Sequence, residues 1–410
     1  AALNEAVNIT VTNNVTFAQA KIIDDATNSG SNTYNISDTA ANIAAGIVTS
    51  VTAVNGAGTV TSTTATAAQG ATLASISQAI VYSISDTAAN IVANVGGLNE
   101  SVDIESTDSC TFAQGKVIED ATNSGSITYN ISDSAANIAV GIGSDNAVIS
   151  SAGTIAANTY ATKAELEIIG GDTKAIVFSV KDTAVNLAAA TAARILKAVN
   201  VIATTDATVA QATSIDTNTN AGAGGYNTYN ITDSAAAIAA KTNAFLTKAQ
   251  TVTVDGTADV TQATTISGLT KAVIYSISDV AANALGAAAT TYNEAVNITI
   301  SGNLTVAKAD VIKEASNSGT KTYIIEDNAA AITAAVTATT GATPDVQTLN
   351  SGTTVTVSGT ATFAQAATIA GIAKAIVYNI SDVKANIPGS TTAALNEAVN
   401  ITVTNNVTFA

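Results

Sequence analysis

Apolar positions along the chain follow two alternating rhythms. In VNITVT, Val7, Ile9 and Val11 fall on one face and Asn8, Thr10 and Thr12 on the other. In TYNIS, Tyr34 and Ile36 oppose Thr33, Asn35 and Ser37. A period of two in β-branched residues predicts strands. Behind Asp38 the period lengthens, and Ala40, Ile43, Ala44 and Ile47 stand at i, i+3, i+4 and i+7, one face of a helix. The strands therefore hand over to short, Ala-rich helices.

Two signals mark the helix starts. Thr16-Phe-Ala-Gln19 is a capping box, in which Thr oxygen and Gln side chain satisfy backbone N–H groups reciprocally. It recurs as Thr66/Gln69, Thr111/Gln114, Thr208/Gln211, Asp259/Gln262 and Thr362/Gln365, while Thr305/Lys308 and Thr159/Thr162 depart from it. The second signal is an aspartate after each TYNIS-like strand: Asp38, Asp86, Asp133, Asp182, Asp233, Asp279, Asp327 and Asp382. Aspartate suits an N-cap and the positive end of the helix dipole, so all eight are read as structural helix caps.

These anchors lie in eight units that average 49 residues, from TYNISDTAANIAA (33–45) to VYNISDVKANIPG (377–389). The units alternate. One type carries an insertion before the anchor (TNSGSN, TNSGSI, TNAGAGG, SNSGTK); the other approaches it tightly (SQAIVY, TKAIVF, TKAVIY, AKAIVY). A header of the LNEAVN type opens each pair at Leu3, Leu98, Leu196, Tyr292 and Leu395. The resulting organisation is 1–97, 98–195, 196–291 and 292–394, with 395–410 opening another period. Residues 1–18 and 393–410 are the same eighteen letters, which leads us to expect a window of a longer repeated polypeptide. The predicted fold is an α/β repeat solenoid of about 16 β-α coils, at ~24 residues each, with parallel strands and right-handed crossovers. Tandem β-sandwich domains of about 98 residues are the alternative, since that length suits one immunoglobulin-like domain.

Composition narrows the chemistry. Charged residues make up 11% of the 410, with a net charge of −16 and no His, Met or Trp. Without histidine, Ser-His, Cys-His and His-ligated metal chemistry is excluded. So few cations leave no footprint for nucleic acid, and no apolar run is long enough for a membrane helix. The one cysteine, Cys110, replaces Val15 of the equivalent unit and reads as a core residue. The tyrosines before the anchors, with Phe178 substituting once, read as an inward stack. No cofactor is expected; calcium, with its oxygen ligands, could suit the stacked carboxylates, and would suit acidic clusters such as Asp24-Asp25 or Glu119-Asp120 better. Sequons at Asn8, Asn14, Asn35, Asn130, Asn230, Asn297, Asn303 and Asn379 read first as the outward face of strands, and otherwise as glycosylation sites. No cluster of carboxylates with Lys or Arg interrupts the repeat, so an enzyme is not expected.

SDTAANIAA after a short Thr/Ile-rich strand, repeated through all eight anchors, resembles the repeat regions of giant bacterial cell-surface proteins, S-layer-like or adhesin-like. The resemblance implies a secreted, extracellular structural segment with no catalytic residues, whose partner is itself in a filament or sheet. The rival expectation is an adhesin-type stalk whose Asn, Thr and Ser ladders grip surface glycans, ice or a host surface.

Overall fold

The computed structural model describes residues 2–217, 226–317, 319–339 and 344–405. The chain divides into two compact units, Ala1–Ile202 with Ile215–Asn227, and Ala203–Ser214 with Thr228–Ala410. Both are α/β, built from open parallel sheets alternating with short helices.

In the first unit, strands Ile84–Asp86, Ile104–Cys110, Ile127–Asp133, Ile155–Ala157 and Ile176–Val177 pair side by side in chain order. The second unit repeats this with Ile277–Val280, Ile298–Leu304, Lys321–Asn328, Val355–Ser358 and Ile376–Val377. The described pairings are parallel, which sets aside antiparallel sandwiches. Registers such as Ile84↔Ile104, Ile131↔Ile155 and Ile155↔Ile176 place one isoleucine on the next. A helix fills the crossover each time, as parallel pairing requires.

One strand run serves two neighbours. Asn32–Thr33 pairs back with Ile9–Thr10, whereas Ile36–Asp38 pairs forward with Val60–Ser62. Ile36 also keeps a parallel bridge back to Val15, so it stands between two neighbours. VNITVT is also trimmed: only Ile9–Thr10 is paired, and Val7 is 68% exposed.

The core follows the predicted alternation. Tyr34, Ile36, Val60, Ile84, Ile104, Ile131 and Ile155 are each 1% exposed, and each buried isoleucine contributes on the order of 2–3 kcal/mol. Helix Ala40–Asn55 presents Ala40, Ile43 and Ala44 inward, with Ile47 half-buried. Alanine and glycine permit close approach of neighbouring helices: a Cβ on Gly97 would stand 2.3 Å from the Gly70 carbonyl carbon. Several crossovers carry an unforeseen second short helix, among them Asn146–Ser151 and Val346–Ser351. Among the described residues, no helix is long and apolar enough to cross a membrane.

Candidate functional site

The anchor aspartates are the chemical feature common to all eight units, and they stand one residue before the caps they were expected to be. Thr39 caps helix Ala40–Asn55, its hydroxyl accepting the Asn42 N–H at 3.2 Å. Asp38 ends the strand before it. Its Oδ1 accepts the Thr39 N–H at 2.7 Å and the Asn42 amide at 2.9 Å. Oδ2 turns back to the preceding coil and accepts the N–H of Phe17 at 2.9 Å, the first residue of helix Phe17–Asp24. The strand end delivers the carboxylate between two helix N-termini, where open N–H donors and the positive dipole ends converge.

This arrangement corrects all eight assignments in the same way. The caps after Asp86, Asp133, Asp182, Asp233, Asp279, Asp327 and Asp382 are Thr87, Ser134, Thr183, Ser234, Val280, Asn328 and Val383. Each of these residues donates its N–H to the aspartate's Oδ1 at 2.7–2.8 Å. Each Oδ2 accepts a helix-opening N–H from the preceding coil at 2.8–3.0 Å: Ala67, Phe112, Lys163, Val209, Val260, Val306 and Phe363. The helices that open at Ala40, Ala88 and Ala135 are served likewise by Thr63, Asp108 and Thr159 of the following coil.

Burial pushes the carboxyls of Asp38, Asp86, Asp182 and Asp279 up, but the N–H and amide donors overrule it and hold them below the usual carboxylate range. Asp382 shifts the same way, led by the Val383 N–H. Both oxygens of each anchor carboxylate already accept N–H donors. Among the described residues, no three His, Cys, Asp or Glu side chains gather as a metal-holding group.

Thr16, Thr66, Thr111, Asp259 and Thr362 sit at N-caps in complete capping boxes. Thr208 makes the same reciprocal pair with Gln211, at 2.9 and 3.2 Å. A further box is formed by Thr162 and Glu165, leaving the Thr159 hydroxyl to accept the Ala135 N–H. At Thr305 the cap survives, but Lys308 has turned inward, its ammonium on the Ala287 carbonyl at 2.8 Å. Burial pushes that ammonium's pKa down.

The sequon asparagines do structural work across coils. The side-chain carbonyls of Asn8, Asn35, Asn130 and Asn297 accept the N–H of Ser31, Thr59, Thr154 and Thr320 at 2.8–3.0 Å. The anchor tyrosines are buried, and Tyr34, Tyr82, Tyr129, Tyr275 and Tyr378 donate their hydroxyls to carbonyls of the following helical segment. Burial, with Asp24, Glu100 and Glu294 nearby, pushes Tyr34, Tyr82 and Tyr275 up to about 12. Cys110 is buried against Ser106 at 3.5 Å, and burial pushes its thiol up.

Sequence reasoning missed one polar cluster in the second unit. Lys313 lies 3.4 Å from Asp345 and 4.0 Å from Asp310, and the Thr348 hydroxyl donates to Asp310 at 2.7 Å. Asp345 opens helix Val346–Ser351 in a box with Thr348. The pair Asp345/Thr348 was the available signal, so the cluster ties two helices together. The chain matches no protein-family model, no curated protein and no solved structure.

Proposed function

We propose that this chain is a structural repeat segment of a long extracellular fibre, filament or surface layer, a β-α solenoid of about 16 coils acting through self-association and mechanical reach. The observation that carries the reading is the recurring anchor: eight aspartates at equivalent places in the repeat each accept the N–H that opens the preceding segment's helix. Chemistry repeated in every 49-residue unit supports continuity along the chain rather than a single reaction centre. The resemblance of SDTAANIAA to cell-surface repeats points the same way, as does the small share of charged residues, which favours close lateral packing. Electron microscopy of the concentrated full chain tests the proposal. Regular filaments or sheets with a ~4.8 Å strand spacing along their axis are expected; compact monomers at every concentration would overturn it. An adhesin-type stalk gripping polysaccharide, ice or a host surface is the second reading, favoured by exposed Asn, Ser and Thr on the outer faces.

A further inference from the structure

In a chain this repetitive, the informative residues are those that break the pattern. Two positions before the capping residue, seven coils carry Asn14, Thr64, Ser109, Asp206, Thr257, Asn303 or Thr360, all small and polar; the eighth carries Tyr160. Before the anchors, seven units have tyrosine and one has Phe178. Immediately before the anchor stand Ser37, Ser85, Ser132, Thr232, Ser278, Glu326 and Ser381, but Lys181 in this unit. Tyr160, Phe178 and Lys181 all fall within the fourth repeat and meet at one place. Tyr160 and Phe178 line an open groove of about 330 Å³, together with Asn158, Val177, Ser179 and Val199. The Lys181 ammonium lies 5.7 Å from the centre of the Tyr160 ring.

The groove has a recognisable chemistry. Tyr160 is 50% exposed and Val177 60%, so an aromatic face and an aliphatic side chain are open to solvent side by side. Phe178 is buried and brings no hydroxyl, whereas its counterparts Tyr82, Tyr275 and Tyr378 each send one to a carbonyl. Neutral polar groups stand at the edge: the exposed Asn158 amide, and the Ser179 hydroxyl, which accepts from Asn200 at 3.3 Å. A pyranose ring matches this set. Its axial C–H face is apolar and stacks on an aromatic ring, while its equatorial hydroxyls need neutral donors and acceptors around the rim. The Lys181 ammonium lies over one face of the Tyr160 ring, leaving the opposite face for the sugar, and a cation so near favours a sugar that carries a carboxylate.

We propose that the Tyr160 groove binds a pyranose unit of a polysaccharide, with uronic acid units preferred through Lys181. The site would exist whether or not the chain forms filaments, so its test is separate from microscopy. Hexagalacturonate, cellohexaose and chitohexaose are titrated calorimetrically into the full chain. Hexagalacturonate should bind at millimolar concentration or below, and more tightly than the two neutral sugars. Restoring the repeat's own residues at all three places (Tyr160→Asn, Phe178→Tyr and Lys181→Ser together) should keep the fold and weaken binding at least tenfold. Lys181→Ser alone should remove only the preference for the acidic sugar. Tyr226→Ala, at another exposed tyrosine, should change nothing. No binding of any of the three sugars at millimolar concentration, or equal binding by the restored variant, would overturn the proposal. Equal affinity of the wild-type chain for acidic and neutral sugars would remove Lys181 from it.

Discussion

Insertion-bearing coils and tight coils meet the same demand with different chemistry. In both, the turn leading into the strand must satisfy carbonyls left open by the coil before. The insertion coils use a neutral amide: Asn28, Asn123 and Asn317 donate to the carbonyls of Val7, Val102 and Val296 at 2.8–3.2 Å. Three of the four tight coils use a cation, with Gln78 at that place in the other: Lys174, Lys271 and Lys374 donate to the carbonyls of Ser150, Ala249 and Gly352 at 2.6–3.0 Å. Two of those carbonyls, at Ser150 and Gly352, lie at the ends of helices Asn146–Ser151 and Val346–Ser351, where the dipole favours a positive charge. Neutral turns come with a glycine folded onto the neighbouring backbone, whereas charged turns dispense with it. The repeat thus fixes where a donor must stand, and leaves its type free.

The largest expected effect spans both kinds of coil. The anchor carboxyls that titrate low contribute stability that is present above the unfolded value near pH 4 and lost as pH falls through their folded values. The tyrosines raised to about 12 behave oppositely, contributing below about pH 10 and losing that contribution between about 10 and 12. Circular dichroism against pH should show acid unfolding below about pH 4 and alkaline unfolding in that upper window. A molecule indifferent to pH 11 would contradict the tyrosine placement.

Gly125→Ala strikes only the insertion type. A Cβ there would stand 2.6 Å from both the Val102 carbonyl oxygen and the Asp103 carboxylate, so about 2–3 kcal/mol should be lost in denaturant titration. Gly143, with open space around it inside helix Ala135–Ser144, should accept alanine with a gain of up to about 1 kcal/mol. Asp133→Ala leaves the N–H groups of Phe112 and Ser134 without their acceptor and should cost about 1–3 kcal/mol, with Asp133→Asn retaining part of it. The smallest effect sharpens the comparison most. Lys374→Met should cost about 0.5–1 kcal/mol, and Asn123→Ala a similar amount, and only the lysine loss should shrink in high salt. Equal salt dependence would erase the distinction between the two turn types.

What was legible in the sequence was local. A capping box joins residues three apart, so Thr16, Thr66, Thr111, Asp259 and Thr362 could be placed from their neighbours alone. Period-two alternation likewise set Tyr34 and Ile36 inward. The anchors were misplaced by one position because a principal partner is not local: Asp38 reaches Phe17, 21 residues away. Thr159 was mistaken for the variant box for the same reason, its hydroxyl being directed to Ala135, 24 residues away. The groove at Tyr160 left a trace only as three scattered exceptions to a repeat, and only folding gathers them.

The direction of the anchor bonds bears on how such a chain is made. Every carboxylate reaches backwards along the chain, so the first N–H of a helix is completed by a residue about 20 positions later. A ribosome supplies those residues last. At ~5–20 residues per second, each new helix waits on the order of 1–4 s for its acceptor to be synthesised. Within each unit, completion of a helix start should therefore trail synthesis by about one β-α segment.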